Sequence, residues 1–192
     1  MKYLLFDTEA NGLPVDHHGH VSDVDNWPRM LQLAFVVFDE LGEEESRGSF
    51  LIRPEGFDLD PEAAKIHGLT LEKLNEGVPV SAALEAFAEA MLDADVLVAH
   101  NYTFDKGIVG SEFVRNGMTH HYEAMKQKEK ICTMQSTRSF CNLPGKKWPK
   151  LQELHQKLFG RDFENAHDAL ADVLAMADCF FELVRKGVIA EK

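Results

Sequence analysis

The sequence predicts an α/β protein in which a mixed sheet carries helices on both faces. Three observations lead there. β-Rich runs come first, at residues 3–6, 31–38 and 49–52. A fourth apolar run, Val96-Leu97-Val98-Ala99, lies between two segments of helical spacing. The rest is helical in pattern, apart from one short β-rich stretch. No repeat or linker divides the 192 residues, so one domain over 1–192 is expected, large enough to bury most of the surface its unfolded chain exposes.

Tyr3-Leu4-Leu5-Phe6 reads as a short strand ending in Asp7-Thr8-Glu9, before a turn at Asn11-Gly12. The next stretch, 15–30, is polar and irregular. Its His17, His18 and His20 lack a fourth ligand at zinc-site spacing, so a solvated loop is the expectation. Leu31 to Phe38 is almost continuously apolar and reads as a central strand. Glu43-Glu44-Glu45 reads as a solvated hairpin turn, and Ser49 to Ile52 as the returning strand of an antiparallel meander. Pro61 begins a helical turn and Thr70 caps another. Ser81 is the expected cap of a helix through about Leu92, with Leu84, Phe87, Ala88 and Met91 at helical spacing. Val96 to Ala99 feeds His100-Asn101 and a helix from about Phe104 to Arg115, stopped by Asn116-Gly117. Lys130-Ile131-Cys132 fits a short fifth strand. Leu151, Leu154 and Leu158 line one helix face, and Gly160 ends that helix. A last helix, capped by Asn165, is expected from about Ala166 to Arg185, with Ala169, Leu170, Val173, Leu174 and Ala177 buried.

A content of 45% hydrophobic and 27% charged residues is ordinary for a soluble globular protein. No apolar stretch reaches the roughly 18–20 residues of a membrane helix, and the run before Asp7 is too short for a signal peptide. Cys132, Cys141 and Cys179 have no C-x-x-C spacing, which predicts reduced thiols in a cytoplasmic protein. The net charge of −12 argues against a long electrostatic grip on nucleic acid. A partner of that class would be held locally, at a strand end.

Asp7 and Glu9 stand two apart on a strand, so their carboxylates share a face, and both stay ionised only beside a compensating positive charge. D-x-E alone is a weak signal. Asp105 follows a buried strand and opens a helix, where ligands gather in open α/β sheets; taken alone it reads equally as an acid stabilised by the helix dipole. His167 and Asp172 lie five apart, roughly 140° around a regular helix. They converge only if His167 sits in the first turn or the loop before it, where an exposed histidine suits proton transfer. Asp168 shares a helix face with Asp172 and competes as a ligand, but its first-turn position is explained by the dipole, so Asp172 is preferred. Two divalent cations would balance the four acids. Oxygen ligands without thiolates select Mg²⁺ or Mn²⁺, and a pair of such ions clamps the attacking and leaving oxygens of a displacement at phosphorus.

The segments Phe6-Asp7-Thr8-Glu9-Ala10-Asn11-Gly12-Leu13, Ala99-His100-Asn101-Tyr102-Thr103-Phe104-Asp105 and Asn165-Ala166-His167-Asp168-Ala169-Leu170-Ala171-Asp172 together resemble the three motifs of the DEDD exonucleases, in their histidine branch (DnaQ-like, DEDDh). Residues 27–34, Trp27-Pro28-Arg29-Met30-Leu31-Gln32-Leu33-Ala34, and residues 66–70, Ile66-His67-Gly68-Leu69-Thr70, extend the similarity over about 3–180. The resemblance implies a ribonuclease-H-like fold: a mixed five-stranded sheet in the order 3-2-1-4-5, antiparallel through its first three strands and flanked by helices. It implies removal of nucleoside 5′-monophosphates from a 3′ end, with two Mg²⁺ or Mn²⁺ held by Asp7, Glu9, Asp105 and Asp172. By the same resemblance His167 is the general base and Glu9 shares the catalytic role. Thr8, Ala10, Leu13, Asn101 and Phe104 would meet the terminal nucleotide. Ala10-Asn11 departs from relatives that carry hydroxyl residues there.

The expected partner is the 3′ end of single-stranded DNA or RNA. Arg138, Lys146, Lys147, Trp148 and Lys150 read equally as a strand-binding edge or as a solvated lysine loop. An exoribonuclease of the oligoribonuclease type is the alternative. An inactive nucleic-acid-binding scaffold is disfavoured, because every expected carboxylate and the histidine are present. Only six residues follow Lys186, which favours a free-standing enzyme or one docked by its folded surface over a tethered proofreading subunit. A polymerase partner and a homo-oligomer are left open.

Overall fold

The alternation of apolar side chains along the strands builds two cores, one on each side of a five-stranded sheet. The computed structural model describes residues 1–190. The strands are β1 (Tyr3–Ala10), β2 (Met30–Phe38), β3 (Glu44–Leu51), β4 (Val96–Ala99) and β5 (Glu129–Cys132), and they lie in the order β3-β2-β1-β4-β5. The first three are antiparallel, while β4 runs parallel to both β1 and β5. This is the expected topology.

Side chains point to opposite faces at a period of two. Leu4, Phe6, Leu33, Phe35, Leu97 and Ala99 therefore pack against α3 (Val80–Asp93), α4 (Tyr102–Arg115) and α5 (Thr119–Gln127). Tyr3, Leu5, Ala34, Val36, Val96 and Val98 pack against α8 (Leu151–Phe159) and α9 (Ala169–Arg185). With both faces covered, β2 is buried at every position, which is why its sequence reads as an unbroken apolar run. Between β3 and α3 lie α1 (Pro61–His67) and α2 (Leu71–Asn75), and between β5 and α8 lie α6 (Thr133–Ser136) and α7 (Arg138–Cys141).

Several boundaries differ from expectation. β1 continues through Ala10, which puts Asp7 and Glu9 inside the strand. β3 begins at Glu44, so Glu44 and Glu45 are strand residues and not a turn; charge on this outer strand discourages pairing with other chains. α3 starts at Val80 after Pro79, without a cap from Ser81. α9 starts at Ala169: its cap is Asp168, whose carboxylate accepts from the Ala171 N–H, while Asn165 takes a left-handed conformation at φ 57° and caps nothing. α5, α6 and α7 have no counterpart in the expected elements.

α4 is held tightly. A β-carbon at Gly107 would lie 2.1 Å from the Trp27 ring, so only glycine lets the helix approach that side chain. Further along α4, fully buried Glu112 accepts from Arg29 Nε at 2.8 Å, Arg115 Nη1 at 3.0 Å and the Met30 N–H at 3.2 Å. These bonds join α4 to the start of β2. The three cysteines are free.

Candidate active site

The site forms where the two halves of the sheet diverge. On β1, Asp7 and Glu9 share the α9 face with Tyr3 and Leu5, because all four have the same parity. Thr8 faces the other way, towards α4. Its N–H and its hydroxyl both donate to Asp105 Oδ1, at 3.0 and 2.8 Å. One β1 dipeptide thus presents an acid to one side and grips a second acid, from α4, on the other.

The third motif arrives from α9. The Asp168 oxygens accept from the Ala171 N–H at 3.1 Å and from Gln32 Nε2 at 3.0 Å, and Gln32 Oε1 accepts from the Ala169 N–H at 3.2 Å. Gln32 lies directly opposite Glu9 in the sheet, so this clasp fixes the start of α9 against β1 and β2. Asp168 is occupied as a cap, whereas Asp172 is not. Its Oδ2 accepts only the His167 N–H, at a weak 3.3 Å, and its Oδ1 is buried without a partner. An orphaned buried carboxylate oxygen calls for a cation.

His167 lies in the loop just before α9, with φ 72°, and its side chain is exposed. The left-handed backbone removes the 140° separation a regular helix would impose. Glu9, His167 and Asp172 each offer a ligand atom within 4.8 Å of the others, the one such group among the described residues.

The electrostatics match. Burial, then repulsion from Asp172 and Asp105, pushes Glu9 up to about 8. Asp105 is pushed up to about 7, chiefly by burial and against its two bonds from Thr8. Asp172 is pushed up to about 6, again chiefly by burial. Asp7 is raised well above the ordinary carboxylate range by burial and then by Asp105, Asp172 and Glu9. Four carboxylates that raise one another's pKa are strained as anions until positive charge sits among them. This donor set, all oxygen with one imidazole at its edge, fits hard divalent cations.

Beside the acids is a cavity of 390 Å³ lined by Thr8, Glu9, Ala10, Leu13 and Phe104 from the expected set. Asn101 is absent from it; it precedes α4 in a left-handed conformation at φ 80°. The Thr8 hydroxyl proton is spent on Asp105, so towards a ligand its oxygen can only accept. The rest of the wall is Gly12, Asp60 and, from α1, Glu62, Ala63, Ile66 and His67. His67 Nδ1 accepts from the Leu69 N–H at 3.0 Å, which leaves the proton on Nε2, buried and unpartnered. Sequence reasoning gave these α1 residues no role, although the Ile66-His67-Gly68 turn was visible. The Arg138 to Lys150 segment packs on itself: the Arg138 guanidinium covers the Trp148 ring at 4.3 Å and Lys147 pairs with Glu153. In the polar loop, His20 Nδ1 bonds Ser22 Oγ at 2.7 Å.

Residues 4–180 match the RNase T exonuclease family profile. The chain belongs to that family. Among curated relatives of this RNase T-family exonuclease domain, the PolC-type DNA polymerase III of Lactococcus lactis subsp. lactis (strain IL1403) is 27% identical over 116 residues, which cover 60% of this chain and 6% of the polymerase. Among solved structures, exonuclease I is 20% identical with a TM-score of 0.78, covering 96% of this chain and 41% of that protein. Escherichia coli exonuclease I with a dT13 oligonucleotide is 22% identical, with a TM-score of 0.77 and coverage of 96% and 41%. Exonuclease X in complex with 5′-overhanging duplex DNA is 21% identical, with a TM-score of 0.68 and coverage of 98% and 94%. The chain therefore spans under half of exonuclease I and a small part of the polymerase. The shared fold is ribonuclease-H-like. No helix among the described residues is long and apolar enough to cross a membrane.

Proposed function

We propose that the chain is a metal-dependent 3′→5′ exonuclease that releases nucleoside 5′-monophosphates from the 3′ end of a DNA strand. The main support is the meeting of Glu9, His167 and Asp172 within 4.8 Å, beside two further acids that sense them electrostatically. Asp7, Glu9, Asp105 and Asp172 would hold two Mg²⁺ or Mn²⁺. Bound cations supply Lewis acidity at the phosphate and offset the charge of the departing oxygen.

The protein's own groups do the rest. His167 Nε2 or Nδ1 takes a proton from the water that attacks phosphorus; the new P–O bond forms as the bond to the 3′-oxygen breaks, and that oxygen departs as an alkoxide that takes a proton from solvent water to become the 3′-hydroxyl. An exposed imidazole then returns its proton to solvent. Leu13, 74% exposed, and Phe104 frame the terminal nucleoside in the 390 Å³ cavity. Thr8 holds Asp105 in place from the wall of that cavity, and the Gln32–Asp168 clasp sets the start of α9, so both position ligands.

DNA is preferred because exonuclease I and exonuclease X are known in complexes with it. The test is digestion of 5′-labelled single-stranded DNA, duplex DNA and RNA with Mn²⁺ or with EDTA. A ladder shortening from the 3′ end, stopped by EDTA, is expected on DNA. Internal cuts, release from the 5′ end, or no hydrolysis of any substrate with metal would defeat the proposal; faster digestion of RNA would move the substrate class.

A further inference from the structure

Two cavities outside the acid cluster share a wall. One, of 570 Å³, is lined by Lys106, Lys130, Gln135 and Ser136 among others. The second, of 280 Å³, is lined by His17, His18, His20 and Tyr122. Thr103 and Lys106 line both, so the two adjoin at the first turn of α4 as a trough in two parts. Phe104, the residue after Thr103, lines the nucleotide cavity instead. The trough and that cavity thus draw on neighbouring residues of the same helical turn.

Its lining holds two lysines and no acidic residue. The chain carries 32 acidic against 20 basic residues, and Lys2, Lys65, Lys126, Lys147 and Lys186 pair with acids among the described residues. Yet neither Lys106 nor Lys130 has a salt-bridge partner among the described residues. Burial, then repulsion from Lys130 and Lys126, holds the Lys106 ammonium below its ordinary pKa, so the cations stand close to one another. Lys126 is offset by Glu123 at 2.6 Å; the other two lack such compensation. Gln135 and Ser136, both exposed, add hydrogen-bonding groups on the same wall. Two lysines left facing a cavity by an otherwise acidic protein suit a phosphodiester chain, and the small number of cations limits the grip to a few nucleotides.

We propose that this trough holds the sugar-phosphate backbone upstream of the terminal nucleotide, with Lys106 and Lys130 each neutralising a phosphate. It rests on the exonuclease reading and adds the path of the strand. Two lost single-strand phosphate contacts reduce the salt slope of log affinity by about 1.4; referenced to 1 M salt, that is a roughly 25-fold loss at 0.1 M.

The experiment uses Lys106→Gln, Lys130→Gln and the double variant, with arginine at the same positions as charge-keeping controls. Two substrates are compared: a 12-nucleotide single-stranded DNA, and thymidine 5′-(p-nitrophenyl phosphate), which has no upstream strand. The double glutamine variant is expected to raise KM for the oligonucleotide roughly 25-fold at 0.1 M salt and flatten its salt slope, while the ester is hydrolysed as before and arginine restores both values. Fluorescence anisotropy of a labelled 12-mer in Ca²⁺ reads the same affinity without turnover. An unchanged slope and affinity, or equal losses on both substrates, would overturn the trough. If the unaltered protein turns over neither substrate, the exonuclease reading fails, and the anisotropy comparison still decides the trough.

Discussion

Glu9→Gln isolates the electrostatic cost of the acid cluster. In the folded, metal-free protein Glu9 is pushed from 4.5 up to about 8, first by burial and then by neighbouring carboxylates. A raised folded-state pKa contributes stability that is complete below the unfolded value near 4.5 and is lost as pH rises through about 8. At 1.36 kcal/mol per unit, the shift corresponds to at most about 5 kcal/mol. Glu9 is partly exposed, and one repulsion is shared among four acids, which reduces the expected effect to roughly 2 kcal/mol. Glutamine cannot ionise. In EDTA the variant should therefore gain on the unaltered protein as pH climbs from 5 to 9, by about 4–8 °C in Tm. The assay is urea or thermal unfolding followed by circular dichroism across that range. Working with the difference between the two proteins cancels groups with the opposite sign, such as His100, which burial lowers to about 4. Added Mn²⁺ should reverse the order, since binding to the folded state stabilises only the protein that keeps its ligands. Parallel pH curves in EDTA would refute the reasoning.

Other predictions follow from single contacts. His167→Ala should reduce kcat by about 10²–10⁴-fold while Mn²⁺ affinity changes little; a lost ion with unchanged metal-saturated kcat would make it a ligand and not a base. Gly107→Ala presses a methyl into Trp27 and should cost about 1–3 kcal/mol by denaturant unfolding; a neutral result would show that Trp27 gives way. Glu112→Ala leaves Arg29 and Arg115 without their shared carboxylate and should cost about 3–5 kcal/mol, measured the same way; a loss below 1 kcal/mol would mean both guanidiniums find water.

How much of this was legible follows from what each residue depends on. The period of two along β1 is local, so the common face of Asp7 and Glu9 could be read directly. The covered faces of β2 likewise wrote an unbroken apolar run. α5 buries only Tyr122 and Met125 among nine residues, too few to mark a helix. β3 hid its start because an outer strand can carry Glu44 and Glu45 in solvent. The beginning of α9 was misplaced because Asn165 and Asp168 are both good caps, and the choice was made by Gln32, 136 residues from Asp168. The same distance effect concealed the α1 wall: the orientation of His67 depends on its bond to Leu69, but its place beside Glu9 depends on the fold. The Thr8–Asp105 bonds, 97 residues apart, could not be seen at all, and they give Thr8 a second task, support of a proposed ligand, beside its place in the cavity wall.

The most direct measurement is anomalous diffraction from crystals grown with Mn²⁺. The account predicts two ions, bound among the carboxylates of Asp7, Glu9, Asp105 and Asp172, with Asp172 Oδ1 turned onto one of them and His167 at the edge. Manganese bound elsewhere, or an acid cluster with no anomalous peak at saturating metal, would contradict it.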